Sequence, residues 1–484
     1  MAPIVSIVIP LYNAGRFIGE ALGSLVRQTM DDWECVVIDD GSTDGGHRAV
    51  EDFARGERRV RLVRQANAGQ SAARNRGIDL TSGRFLVFLD NDDLLTPRAL
   101  ERLVVEAERD GAGAAHGGAA WIDESGADLG WSFEPTAPRV GLNELLAHGR
   151  FNTCSQMIAR ERLGGDRFRS RFDGVEDHDL WLRLAARGVR WNAAGEVVCA
   201  YRLRATSDSR RFERIARTHD AVLREGFALA RRSPPVGADA SPARERAVLG
   251  RTALHYATAM ALGDASGRFE RSTGLLTSLG TSAPIHAADA ATAAYWALPY
   301  ADCRSPRVWT GPGMDAARLS RAAHRWWRAL TEAGLAAEDL PARARRALAE
   351  QCVPAEEVAR ALVDGLAPGR AVVVLGLGRQ SHWVVRELAA RGVPCRARDH
   401  ALPEGRSGHL AGCVRIEVDP IDAPFDAGAT HVMTVGDDRA FLARLPARLS
   451  VRRWAEARAA LVDRAEDRLS PFWNEDGQRR GAAA

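Results

Sequence analysis

The stretch Asp90-Asn91-Asp92 directly follows the apolar run Arg84–Leu89. Two carboxylates two residues apart at the end of such a run are hard oxygen ligands, suited to Mg²⁺ or Mn²⁺ rather than to a soft metal. An ion held by one or two protein carboxylates completes its shell with water and substrate phosphates. The same residues also make a solvated turn ahead of the helix expected at Pro97–Arg109, because Asp and Asn cap helices. The D-x-D pattern alone does not choose between these readings. Other polar clusters share its setting. Tyr12-Asn13 follows the run Val5–Pro10, and Asp39-Asp40-Gly41-Ser42-Thr43-Asp44 closes the run Cys35–Asp39. Asn67-Ala68-Gly69 precedes Ala73-Arg74-Asn75. Further on, Phe172-Asp173-Gly174-Val175-Glu176-Asp177-His178-Asp179 opens a helical pattern through Leu184.

The elements that must position these residues alternate in type. Strands are expected at Val5–Pro10, Cys35–Asp39, Val60–Arg64 and Arg84–Leu89, with a helix around Arg16–Gln28 between the first two. Strands alternating with helices indicate a parallel α/β sheet, and in such sheets ligands sit beyond the carboxyl ends of the strands. The polar clusters fall at those ends. Residues 111–210 read as a mixed segment with few clear strands, containing a Gly/Ala-rich stretch at 111–120 and a loop near Pro135–Pro138. Residues 211–367 read as a helical domain, periodic at Ala253–Leu262 and Arg321–Leu330 and broken near Ser233–Pro242 and Pro299–Gly313. A small Rossmann-like domain is expected over 368–450, and a helix with a tail over 451–484.

Composition narrows the function classes. The 484 residues are 46% hydrophobic and 27% charged, as in an ordinary globular chain of two to four domains. Sixty-six basic residues against 63 acidic ones leave a formal charge of +3. That balance argues against nucleic acid as a general partner, which would need a basic stripe. Every basic residue is arginine, so chemistry that needs an ε-amine is excluded, including a Schiff base or a lysine phosphate loop. Seven scattered cysteines without a C-x-x-C pair fit buried thiols better than a disulfide frame or zinc site. No signal peptide and no 18-residue apolar run are recognised, so the chain is expected in the cytoplasm without a transmembrane segment. Peripheral membrane docking stays open.

The ordered series of clusters resembles the inverting nucleotide-sugar glycosyltransferases of family 2, with the GT-A fold, over about residues 3–208. The resemblance implies an α/β GT-A domain at 1–210 that moves a sugar from a nucleotide-diphosphate sugar, foremost a UDP-sugar, to an acceptor hydroxyl by single displacement. It implies donor contacts at Pro10, Tyr12, Asn13, Asn67, Asn91 and Asp90, the last toward the ribose. Asp40, with Asp39 as second choice, would accept from a uracil imide, and Arg74 would reach a base carbonyl or a phosphate. Asp92, with Asp90, would hold Mn²⁺ or Mg²⁺ against the diphosphate. Asp177, with Glu176 next, would be the base that takes the acceptor's proton, while Asp179 is assigned to the helix N-terminus. One position departs from the pattern. In Tyr201-Arg202-Leu203-Arg204, Arg204 stands where the family often has a metal-binding histidine. A guanidinium cannot ligate a cation, but it can bind a diphosphate.

Acceptors in this family include glycans, lipid-linked glycans, small molecules and peptides; neither acceptor nor self-association into a homo-oligomer is fixed by the sequence. A second reading comes from Gly376-x-Gly378-x-x-Ser381 after the run Ala371–Leu375, with Asp399 about 20 residues on. This pattern suggests an NAD(P)-dependent sugar-nucleotide oxidoreductase, although a structural, regulatory or docking role for the small domain is favoured. A silent sugar-nucleotide-binding module is the third reading. His178, His382, His400 and His409 show no ligand spacing, and Trp326-Trp327 is expected to pack between helices.

Overall fold

The computed structural model describes residues 2–133, 138–148, 152–204, 211–232, 239–263, 269–281, 284–302 and 316–352. Beyond these it describes six short strands and the single residues Asp364, Leu388 and Arg391. The described chain forms two compact units. One comprises residues 1–285 with 296–314 and 329–336; the other comprises 286–295, 315–328 and 337–484.

The first unit opens with β1 (Val5–Leu11), α1 (Gly15–Val26), β2 (Trp33–Asp39), α2 (Gly46–Gly56), β3 (Val60–Arg64), α3 (Gln70–Leu80) and β4 (Phe85–Phe88). These four strands run parallel in the order β3-β2-β1-β4. All seven residues of β1 are buried, as befits a central parallel strand covered on both faces. The chain continues with β5 (Leu94–Leu95), α4 (Ala99–Glu108), β6 (Ala114–Ile122), β7 (Asp128–Phe133), β8 (Arg139–Val140) and α5 (Leu142–His148). After these come β9 (Gln156–Ala159), α6 (Arg160–Leu163), α7 (Glu176–Ala186) and β10 (Trp191–Arg202). They extend the sheet past β4 as β9-β6-β10-β5, where β9 runs antiparallel to both β4 and β6.

Most of the Gly/Ala-rich stretch at 111–120, in the segment that reads as having few clear strands, lies in the strand β6 inside the sheet. That part of β6 lacks the β-branched residues that advertise a strand, but its neighbours explain its small residues. A Cβ on Gly117 would lie 2.4 Å from Val198 Cγ1 on β10, so only glycine permits this spacing.

Residue 210 is not a structural boundary. Helix α8 (Phe212–Arg232) belongs to the first unit, and a Cβ on its Gly226 would meet Leu182 of α7 at 2.9 Å and Leu146 of α5 at 3.1 Å. The first unit also holds α9 (Pro242–Gly263) and α10 (Glu270–Ser278). The helical region expected as one domain is thus shared between the two units. It also contains α11 (Ala287–Asp302), α12 (Ala316–Glu332) and α13 (Leu340–Cys352). Pro242 is the first residue of α9, where proline's missing N–H costs nothing. Helix α11 continues through Pro299, so no break falls at that residue. Trp326 and Trp327 are fully buried, as helix packing requires.

The second unit carries β11 (Val372–Leu375), β12 (Cys395–Arg398), β13 (Gly408–Leu410), β14 (Val414–Asp419), β15 (Thr430–Met433) and β16 (Val451–Arg453) in the order β13-β14-β12-β11-β15-β16. All pairs are parallel except β13 with β14, which gives a doubly wound, Rossmann-like order. Because β16 pairs with β15, the sheet crosses the boundary expected at residue 450. The glycine loop at 376–381, Asp399 and the expected C-terminal helix lie outside the described residues.

Candidate active site

The carboxyl ends of β1, β2 and β4 converge. Leu11 stands opposite Asp39, and Val8 opposite Phe88. The loops that follow are cross-tied. Asn13, at φ 48°, donates its N–H to Ser42 Oγ at 3.1 Å, and its Oδ1 accepts from the Thr43 N–H at 2.8 Å. Tyr12 is 52% exposed beside this knot, an open aromatic surface at the strand ends. Asn91 donates its side-chain amide to the Pro10 carbonyl at 2.7 Å. Pro10 and Asn91, expected as substrate contacts, here pin the loop after β4 to the end of β1.

The two acids ending β2 are also engaged by the chain itself. Asp39 is fully buried and accepts from the Ser42 N–H and from Arg64 Nε, both at 2.9 Å. Burial pushes its carboxyl up, but the Ser42 and Arg64 donors outweigh this and hold it below the usual carboxylate range. Asp40 accepts from the Ala68 and Gly69 N–H groups at 2.8 Å each and from Gln65 Nε2 at 2.7 Å. Instead of presenting a bare oxygen to a base, Asp40 shapes the loop that carries Asn67, which is exposed.

Arg74 departs further from expectation. Its guanidinium is 2% exposed, with one Nη 2.5 Å from Glu176 Oε1 and the other 2.6 Å from Asp90 Oδ1. It lies over the Phe168 ring, 5.4 Å from the centroid. A buried fork already holding two carboxylates is a positioning group in this conformation, not a hand reaching for phosphate. It brings the D-x-D loop and the start of α7 to one place.

On α7, Glu176 is buried and also accepts the Gly174 N–H at 2.5 Å. Burial pushes its carboxyl up to about 7 against the opposing pull of Arg74. Asp177 is only half-buried. It accepts from Thr153 Oγ1 at 2.8 Å and from the His178 N–H at 2.7 Å. Of the pair, Asp177 is therefore the carboxylate that retains access to a substrate. Asp179 is buried among arginines, accepting from Arg169 and Arg183. His178 faces inward: its Nε2 meets the Leu145 carbonyl at 3.1 Å and its Nδ1 meets His219 Nε2 at 2.9 Å.

The acidic loop holds one carboxylate more than the D-x-D pattern counts. Asp92 is buried, 2.6 Å from Arg204 Nε. Burial pushes its carboxyl up to about 6, with Arg204 pulling down and Asp90 pushing up. Asp93 accepts the Arg202 N–H at 2.8 Å, and burial beside Asp92 and Asp90 raises it well above the usual range. Arg202 is itself fully buried, with Nε on the Asp92 carbonyl at 2.8 Å and a guanidinium nitrogen on Glu20 at 2.7 Å. Asp93, Arg202 and Thr153 are the residues that sequence reasoning passed over. The doubled acid after D-x-D and the Tyr201-Arg202 pair were their only signals. Among the described residues no group of three or more His, Cys, Asp or Glu side chains converges as a metal site. The donor set at Asp90 and Asp92 still fits a hard dication bound by one or two carboxylates plus substrate phosphates.

A parallel half-sheet joined to a mixed half, with an acidic turn after its fourth strand, gives a GT-A-like α/β domain. Residues 6–163 match the family described as Glycosyl transferase family 2, and the domain is a family 2 glycosyltransferase domain. The chain is 42% identical over 109 residues to the uncharacterized glycosyltransferase EpsJ of Bacillus subtilis (strain 168), covering 22% of this chain and 32% of EpsJ. It is 39% identical over 187 residues to the uncharacterized glycosyltransferase YibD of Escherichia coli (strain K12), covering 39% of this chain and 45% of YibD. The chain thus spans less than half the length of these curated relatives. The crystal structure of S. aureus TarS 1–349 in complex with UDP-GlcNAc aligns over 72% of this chain and 91% of that one, at 15% identity and a TM-score of 0.40. Among the described residues no helix is long and apolar enough to cross a membrane.

Proposed function

We propose that the protein is an inverting glycosyltransferase that moves a sugar from a nucleoside diphosphate donor, foremost a UDP-sugar, to an acceptor hydroxyl. The observation that carries this reading is the Arg74 bridge, which holds the D-x-D turn and the start of α7 together at the carboxyl ends of the strands. A donor site and a base on separate elements must be fixed relative to each other for an in-line displacement.

In this reading the exposed ring of Tyr12 and the side chain of Asn67 offer a surface for the base, while Asp40 holds the Asn67 loop in shape. Asp90 and Asp92 would hold the divalent ion, which supplies a charge sink for the departing diphosphate. Asp177 takes the acceptor proton. Thr153 fixes the direction of the Asp177 oxygens. Glu176 does not compete for that role, because it is buried and paired with Arg74, whereas Asp177 is half-buried.

Calorimetric titration with UDP, GDP, CDP and TDP, in Mn²⁺ and in EDTA, tests the donor class. The expected result is metal-dependent binding of one diphosphate, lost in Asp92→Ala. Absence of binding by all four in Mn²⁺ would sink the reading.

A further inference from the structure

We propose that Arg204 is a resident cation of the acidic site, seated on the Asp92 oxygen that a divalent metal would take, so that metal enters only by displacing the guanidinium. This inference rests on the donor-site reading above and deepens it.

Each carboxylate of the acidic loop is already paired within the chain. Asp90 is ion-paired with Arg74 at 2.6 Å, Asp92 is ion-paired with Arg204 at 2.6 Å, and Asp93 accepts the Arg202 N–H at 2.8 Å. Of these partners, only Arg204 combines a charged head with a side chain that keeps access to solvent, at 23% exposure; Arg74 is 2% exposed and Arg202 fully buried. The Arg204 guanidinium is gripped from a second direction. Its carbon lies 5.4 Å from the centroid of the Phe17 ring, and Phe17 is a buried residue of α1. An anion and an aromatic face together define a seat for a cation.

A guanidinium has donors only and cannot share a metal's coordination shell. Arg204, seated on Asp92 Oδ2, and a dication therefore compete as cations at one carboxylate. Once displaced, the planar fork is suited to the diphosphate oxygens that accompany the metal. The site thereby stays charge-compensated when empty, and it discriminates against metal arriving alone.

The test is Mn²⁺ binding without nucleotide, read from loss of the free-ion electron paramagnetic resonance signal. The variants are Arg204→Gln, Arg204→His, Arg204→Lys and the double variant Arg204→Gln/Asp92→Asn. Removing an ion-paired competitor should tighten Mn²⁺ binding by roughly tenfold or more in Arg204→Gln. Arg204→His should bind tighter still, because imidazole is itself a ligand, and Arg204→Lys should stay close to the wild type. The double variant should lose the gain. Unchanged or weaker binding in Arg204→Gln overturns the proposal, as does a gain that survives Asp92→Asn. Far-ultraviolet circular dichroism and melting of each variant separate these outcomes from misfolding. Failure of the donor reading would show elsewhere, as wild-type protein that binds no nucleoside diphosphate in Mn²⁺.

Discussion

Arg74 and Glu176 are 102 residues apart in sequence and form a buried ion pair of 2.5 Å, with the second arm of the guanidinium on Asp90 at 2.6 Å. The two charges differ in what surrounds them. Arg74 has two carboxylates and the Phe168 face, whereas Glu176 has Arg74 and one backbone N–H. Glu176 therefore depends on Arg74 more than the reverse, and its pKa near 7 reflects how deeply it is buried.

Removing the arginine should consequently be costly. Breaking a buried pair by deleting one partner typically costs about 3–5 kcal/mol, because a charge is stranded, whereas replacing both partners with apolar groups costs far less. Arg74→Met should lose stability on that scale in urea unfolding at pH 7. The double variant Arg74→Met/Glu176→Leu should regain part of it, since Asp90, which keeps access to solvent, still loses its arginine. A single variant as stable as the wild type would show that the pair is not formed in solution.

The division of labour between Asp177 and Thr153 is separable by kinetics. Asp177→Asn keeps the size of the side chain and removes the proposed base, so turnover should fall by roughly a hundredfold or more. Thr153→Val removes one hydrogen bond to that carboxylate and should cost about tenfold in turnover. Neither change should alter the affinity for the nucleoside diphosphate measured by calorimetry. Loss of nucleotide binding in Asp177→Asn would move this residue from base to donor contact.

The first half of the sheet is readable because its strands are short apolar runs, and three of them lead into Asx-bearing polar clusters, as Cys35–Asp39 does before Asp40-Gly41. The central strand Ala114–Ile122 was hidden because its glycines and alanines answer to Val198 across the sheet, a neighbour invisible in sequence. The site divides in the same way. Asp90, Asp92 and Asp177 announce themselves as acids at element ends. Arg74 in sequence is one arginine among 66, and its grip on Asp90 and Glu176 exists only after α3 and α7 have packed. For the same reason Asp40 and Asn91 looked like free polar groups, although each already bonds the chain.

His116 on β6 supplies a pH dependence with a definite sign. Burial drives its pKa down to about 4, against roughly 6.5 in an unfolded chain. The unfolded state therefore takes up the proton first, and stability falls as pH drops through the window from about 6.5 to 4. The shift corresponds to about 3 kcal/mol lost by pH 4 relative to pH 7.5. Other groups titrate in the same range, so the difference between wild type and His116→Gln isolates the contribution. Urea unfolding at both pH values should show the wild type losing more stability than the variant. Parallel losses would show that the imidazole is hydrated in solution.

Two glycines in the helical region should respond with opposite sign to the same kind of change. Gly226 on α8 faces α7 and α5, where a Cβ would fall 2.9 Å from Leu182 and 3.1 Å from Leu146, both leucines being buried. Gly226→Val adds volume to that contact, and overpacking costs about 1–3 kcal/mol. Gly274 on α10 has open space where a Cβ would stand and lies inside a helix. Gly274→Ala should gain about 0.4–1 kcal/mol by reducing the freedom of the unfolded chain. If α8 is part of the same cooperative unit as α7, Gly226→Val should lower the melting temperature of the transition that includes the proposed donor site, followed as loss of diphosphate binding on heating. A Gly226→Val transition displaced from the loss of binding would mean that α8 unfolds independently, and residue 210 would then be a boundary after all.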